Sequence, residues 1–126
     1  MRLEVLPGSF AVCRLAHPAD APSYRDGVGP VFLAVTPEEV SLVCPSQAVP
    51  AGALAVEDGW SVMRVAGPLD FGLVGILARL SGTLARAGIP VFVVSTYLTD
   101  YVLVKADRLA DASAALAADG ITVGEG

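Results

Sequence analysis

The stretch GPLDFGLVGILARLSGTLARAGIPVFVVSTYLTDYVLVKA, residues 67–106, decides the fold. It opens on a turn, Gly67-Pro68, followed by a carboxylate, Asp70, and two glycines, Gly72 and Gly75, at the mouth of a helix. Leu73, Ile76, Leu77, Leu80, Leu84 and Ala87 recur at helical spacing and mark the buried side, while Arg79, Thr83 and Arg86 fall on a side that faces water. Gly88 and Pro90 stop the helix, because glycine accepts the left-handed conformation just past a helix end and proline cannot continue it. Two strands follow, 91–97 and 101–105, joined by a short turn carrying Asp100. Asp107 reads as the N-cap of a second helix, which buries Leu109, Ala112 and Leu116 and ends at Gly120, and 121–123 is a last strand. With the strand 60–65 in front, the order is βαββαβ, the ferredoxin-like split βαβ unit.

The upstream sequence repeats this pattern. Cys13-Arg14-Leu15-Ala16-His17-Pro18-Ala19-Asp20 matches Met63-Arg64-Val65-Ala66-Gly67-Pro68-Leu69-Asp70 in residue class, 50 positions apart. Val31-Phe32-Leu33-Ala34-Val35-Thr36 precedes Val91-Phe92-Val93-Val94-Ser95-Thr96 by 60 positions, and Glu39-Val40-Ser41-Leu42-Val43 answers Asp100-Tyr101-Val102-Leu103-Val104 at 61. Ala53-Leu54-Ala55 and Asp58-Gly59 echo Ala115-Leu116-Ala117 and Asp119-Gly120. Four matches in order point to a duplication. The step from 50 to 60 falls on APSYRDGVGP, residues 21–30, whose glycines and prolines cannot hold a long helix.

The expected fold is therefore α+β, two ferredoxin-like lobes in tandem, the first with its first helix lost or shortened. A degenerate lobe spans 1–59 and a fuller one 60–126, with the strand 60–66 shared or exchanged between them. One lobe is then a strand short and borrows either 2–6 or 121–123, the first of which precedes the strand 9–15.

Composition narrows the class. Of 126 residues, 54% are hydrophobic and 17% charged, which leaves few polar side chains to solvate a monomer and favours either an oligomer, expected as a homodimer or larger, or lobes packed face to face. The net charge of −5, with arginines and Lys105 scattered and no basic stripe, argues against nucleic acid. The start MRLEVLPGSF has no secretory pattern and no apolar run approaches a bilayer span, so a cytoplasmic protein with no membrane partner is expected. Cys13 and Cys44 read as buried free thiols, and one histidine with no paired-cysteine motif offers no metal site. No cofactor motif, nucleophile motif or nucleotide loop appears, so no catalytic residue is assigned. His17 reads as a loop residue, and Trp60 and Phe92 as core.

The helix mouth and the hairpin carry the chemistry of an α-amino acid. A helix N-terminus offers unpaired N–H groups and partial positive charge to a carboxylate, and Gly72 and Gly75 allow close approach. Asp100 or Asp70 supplies a counter-charge for the ammonium. Structural roles stand beside these: Asp70 as an N-cap, Asp100 as a turn residue, the glycines as spacers for helix–sheet packing.

The motifs Ser41-Leu42-Val43-Cys44-Pro45, Gly67-Pro68-Leu69-Asp70-Phe71, Gly75-Ile76-Leu77 and Ser95-Thr96-Tyr97 through Asp100-Tyr101 resemble the small bacterial tandem-ACT proteins. Those are similar to the ACT pairs of aspartokinases and of CASTOR-type arginine sensors. The resemblance implies a regulatory module whose ligand, an amino acid, is held between two ACT units. On it, Asp70, Phe71, Gly72, Leu73, Val74, Gly75 and Ile76 meet the ligand largely through backbone, Ser95, Thr96 and Tyr97 line the pocket, and Asp100 takes a positive group. The first copy departs, with Glu39 at the place of Asp100 and Pro37 near that of Tyr97. Two other readings stand beside the sensor: a protein–protein assembly module without a ligand, and a small enzyme.

Overall fold

The computed structural model describes residues 1–24, 28–66 and 74–125. Along the chain run β1 (Arg2–Val5), β2 (Phe10–Leu15), β3 (Phe32–Val35), β4 (Val40–Pro45), β5 (Ala55–Val65), α1 (Ile76–Arg86), β6 (Phe92–Ser95), β7 (Asp100–Lys105), α2 (Leu109–Ala118) and β8 (Thr122–Glu125). The fold is α+β, with eight strands and two α-helices among the described residues. Two compact units divide it: Met1–Pro7 with Ser61–Gly126, and Gly8–Trp60. Strand β5 starts five residues before the expected one and contributes to both.

The unit built on 61–126 has the expected βαββαβ order, but its strands run β8-β1-β5-β7-β6. In a split βαβ unit the first and last strands are neighbours; here β1 stands between them. It pairs antiparallel with β5, Leu3 opposite Val65, and parallel with β8, Leu3 opposite Val123. Of the two segments read as candidates for exchange, 2–6 is the one that supplies this extra strand. The alternation of β1 explains the fit, since Leu3 and Val5 point to the face on which Leu80, Leu84, Ala112 and Leu116 pack, while Glu4 points away and meets Arg64 at 2.8 Å.

Both helices end in the same way. Gly88 and Gly120 have positive φ, and Ile89 N–H and Ile121 N–H reach back to the carbonyls of Leu84 and Leu116 at 3.0 and 2.8 Å. These are Schellman caps, and each isoleucine past its glycine is buried in the core. The helix starts differ from expectation. Helix α2 begins at Leu109 after a 3-10 turn over Ala106–Arg108, so Asp107 is not its N-cap, and Leu109 is only partly buried. Thr83, expected in water, is buried beside the apolar stripe, because its hydroxyl donates to Asp119 Oδ2 at 2.8 Å and needs no water.

The other unit orders its strands β3-β4-β2-β5. Ala11, Cys13, Leu15, Val40, Leu42 and Cys44 form its core on one face, covered by loop residues including Ala21, Val31, Val49 and Ala53. Among the described residues between β2 and β3 stands only a 3-10 turn, Pro18–Asp20, in the place of the first helix. The second helix is reduced as well. Residues 46–54, broken by Pro50 and Gly52, hold one 3-10 turn, Ser46–Ala48, and the 53–59 echo of α2 runs through a loop into β5.

The two hairpins correspond at a constant 60 positions. Leu33 faces Leu42 as Val93 faces Val102, and Val35 faces Val40 as Ser95 faces Asp100. The offset of 61 is therefore corrected: the counterpart of Asp100 is Val40, and Glu39 corresponds to Thr99. Matching by apolar class slid one place, because a strand with apolar residues on both faces scores well in either register.

Leu3 is wholly buried between two strands, so Leu3→Ala is expected to destabilise the protein by about 2–5 kcal/mol, measured by urea denaturation. Cys13 and Cys44 are buried and free, and burial with the neighbouring Cys13 and Asp58 pushes the Cys44 thiol up to about 12 from 9.0. The folded chain then holds a proton that the unfolded chain loses, so stability falls as pH rises from 9.0 towards about 12. Cys44→Ala, itself less stable at neutral pH, should show a shallower alkaline decline in denaturation midpoint.

Candidate functional site

The hairpin of β6 and β7 is locked at its tip by a threonine. Thr96 N–H donates to the Thr99 carbonyl at 2.8 Å, Thr96 Oγ1 donates to the same oxygen at 3.1 Å, and Thr99 N–H returns a bond to Thr96 Oγ1 at 3.4 Å. The sister hairpin repeats the device, with Thr36 N–H and Oγ1 both on the Glu39 carbonyl, at 2.9 and 3.1 Å. Thr99 adds a bond of its own: buried, it donates Oγ1–H to the Val65 carbonyl at 2.7 Å. This ties the hairpin tip to the last residue of β5, where the chain sets off towards α1.

Ser95 and Asp100 are cross-strand partners on the face that carries Val93 and Val102, the helix-covered face of the sheet. Ser95 is exposed and Asp100 half-buried. Thr96 is exposed, its hydroxyl spent on the turn, and Tyr97 stands out at the tip with 78% of its surface in water. The hairpin thus brings Ser95, Thr96 and Asp100 together at one end of the sheet and leaves Tyr97 projecting.

Of the helix-mouth residues, Asp70, Phe71, Gly72 and Leu73 lie outside the described residues. Gly75 is the N-cap of α1, with φ of 82° and no side-chain cap, and a Cβ there would meet nothing within 4 Å. Gly75 itself has no side chain to cap the first-turn N–H groups, and among the described residues nothing crowds the position. Ile76 packs on the core, while Val74 is 90% exposed.

Two shallow depressions lie elsewhere on the same unit. One of about 460 Å³ runs between α2 and β8, lined by Ala114, Ala117, Ile121 and Val123. The other, about 340 Å³, lies between the helices beside Thr83, Arg86 and Asp119. None of the expected site residues lines either. The Thr83 hydroxyl, then Arg79 nearby, holds the Asp119 carboxyl below its usual range. Thr99 and this helix clasp were missed by reading the sequence. Thr99 had one available signal, the recurrence of Thr36 as Thr96, which fixes both turns and so the residue three places on. Among the described residues no cluster of three or more histidine, cysteine or acidic side chains stands ready for a metal.

If Thr99 fixes the hairpin against β5, Thr99→Val should keep the shape and leave the Val65 carbonyl without its partner. The expected cost is about 1–3 kcal/mol in a denaturation experiment.

The comparisons with known proteins agree with this geometry. An ACT domain model matches residues 55–118, from the start of β5 to the end of α2. A protein of Agobacterium tumefaciens with a solved structure is 33% identical, with a TM-score of 0.86 over 99% of this chain and 93% of that one. A protein of unknown function from Vibrio cholerae, described as a possible transport protein, is 22% identical with a TM-score of 0.67, over 93% of this chain and 88% of that one. The aspartate kinase of Clostridium acetobutylicum shares the fold at 11% identity and a TM-score of 0.62, with 91% of this chain covering 32% of the enzyme. No curated protein matches the sequence. With a family model spanning half of its length and a relative one-third identical over nearly all of it, the chain belongs to the ACT domain family.

Proposed function

We infer that the chain is a non-catalytic regulatory module that binds an amino acid at the α1 mouth and the β6–β7 hairpin, closed by a further ACT lobe in a homodimer or larger assembly. ACT domains are commonly regulatory ligand-binding modules, and aspartokinases carry the same fold. One observation carries the reading to these residues. The same hairpin is built twice, locked by the same threonine, with Val35 opposite Val40 in one copy and Ser95 opposite Asp100 in the other. The valine copy shows that the hairpin folds without the polar pair, so the polarity of Ser95 and Asp100 serves something other than folding. An ammonium group suits a half-buried carboxylate flanked by a hydroxyl. The ligand's carboxylate suits the first-turn N–H groups behind Gly75.

A second reading, an assembly module without a ligand, draws on the exposed apolar side chains Val74, before α1, and Tyr97 and Leu98, at the hairpin tip. The two separate in a thermal-shift screen of the twenty amino acids, since a ligand stabilises the state it binds by an amount that grows with its concentration. One amino acid giving a concentration-dependent shift supports the sensor, silence across the set supports the assembly module, and turnover would make the chain an enzyme.

For the amino acid so found, Asp100→Asn keeps the shape and removes the charge. The expected loss of affinity is on the order of 2 kcal/mol, roughly 30-fold, with the stability of the unliganded protein little changed. Unchanged affinity by titration would move the site away from the hairpin.

A further inference from the structure

The two hairpins part company at one more place than Ser95 and Asp100. At the constant offset of 60, Thr99 stands where the sister hairpin has Glu39. Both residues close the same turn, each carbonyl accepting the N–H and the hydroxyl of the threonine three places earlier. Glu39 is exposed, whereas Thr99 is only 6% exposed and donates its hydroxyl to the Val65 carbonyl at 2.7 Å. The turn therefore forms without a buried hydroxyl, and the bond from Thr99 serves something besides the turn.

Its direction indicates what. Ala66 N–H bonds the Arg2 carbonyl on β1, so the Val65 carbonyl, pointing the opposite way, faces β7. Thr99 immediately precedes β7 and takes that carbonyl with its side chain. Asp100 follows one peptide later, its Cα about 3.8 Å from that of Thr99. The Val65 side chain lies in the core on which Ile76, the first residue of α1, also packs. Described residues thus connect Asp100, through Thr99 and Val65, to the helix that starts behind Gly75.

We propose that Thr99 is a positioning residue of the amino-acid site: its hydroxyl fixes the Asp100 carboxylate relative to β5, and so to the α1 mouth, before the ligand arrives. This rests on the reading of Asp100 as the partner of the ligand's ammonium group and deepens it. A site holds its groups to within about 0.5 Å of the productive geometry only when a supporting contact locks them. A hairpin tip left loose would have to be ordered at the moment of binding, which subtracts from affinity; an anchor made during folding removes that cost. The branched side chain of threonine is stiff at χ1, so one bond orients the backbone at 99 as well as the hydroxyl. The sister hairpin has valines in place of the pair and no buried hydroxyl in place of the anchor, so pair and anchor occur together or not at all.

The test titrates the twenty amino acids, each in turn, into wild type, Thr99→Val, Thr99→Ser, Asp100→Asn and the Thr99→Val/Asp100→Asn double variant, with folding checked by circular dichroism. Thr99→Val should weaken binding roughly tenfold, and Thr99→Ser, which loses a methyl but keeps the hydroxyl, should stay within about threefold of wild type although it is less stable. In the Asp100→Asn background Thr99→Val should add little further loss, because the group it positions is no longer charged. A merely structural threonine gives affinities that follow stability, with the same loss in both backgrounds. Thr99→Ala against Thr99→Ser, one oxygen apart, makes the same comparison if the valine variant does not fold. Wild-type affinity in Thr99→Val, or a loss that persists in full beside Asp100→Asn, overturns the positioning role and leaves the site standing. Silence towards all twenty amino acids, or an Asp100→Asn variant that binds like wild type, overturns the site and this role with it.

Discussion

The core of the C-terminal unit depends on a strand that the βαββαβ pattern does not contain. β1 occupies the place where β5 and β8 would meet, and Leu3, with no exposed surface, fills the middle of the sheet beneath both helices. Its four residues make two ladders, antiparallel to β5 and parallel to β8. Without them, two strands lose a neighbour and the core containing Val65, Leu116 and Ile121 loses its floor. Short strands hold such central places only where their inward positions are fully apolar and their outward ones find partners. Leu3 and Val5 meet the first condition, and the Glu4–Arg64 pair the second.

Much of this was legible before any coordinates. Gly88-Ile89 and Gly120-Ile121 announced both helix ends, and the Val-Phe-rich strands with Thr36 and Thr96 announced two related hairpins. What misled was the register. Because β4 and β7 are apolar on both faces, residue class alone allowed a slip of one, and that slip set Glu39 against Asp100. The contacts that settle it are the backbone bonds within each hairpin, which leave no trace in composition. Thr83 misled for a related reason: a threonine at the border of an apolar stripe is drawn in or left out by a partner 36 residues away, Asp119. The hairpin half of the candidate site was readable from its polar residues, while the anchoring of that hairpin by Thr99 was not.

The duplication gives the protein an internal control. Two hairpins share a turn, a register and a length, yet one places valines where the other places a serine and an aspartate. Among its described residues the unit with the valines has no α-helix, and β3 is exposed from Leu33 to Val35 where β6 is half-buried up to Val94. Loss of helical cover and loss of polarity go together. The unit reduced to 3-10 turns carries the valines, and the unit roofed by α1 and α2 carries the serine and the aspartate.

The placement of β1 also has a consequence for synthesis. Its partners lie at 63–65 and 122–125, so it emerges before both and cannot complete its pairing until residue 125 has been made. At ribosomal speeds of about 5–20 residues per second, that leaves an apolar segment waiting for several seconds with its final neighbours absent. Contacts so far apart in sequence slow folding through the entropy of closing so long a loop. The interval before β8 arrives is the period in which the nascent protein is most exposed to wrong pairing, and its safe passage depends on whatever holds that first strand apart from competitors.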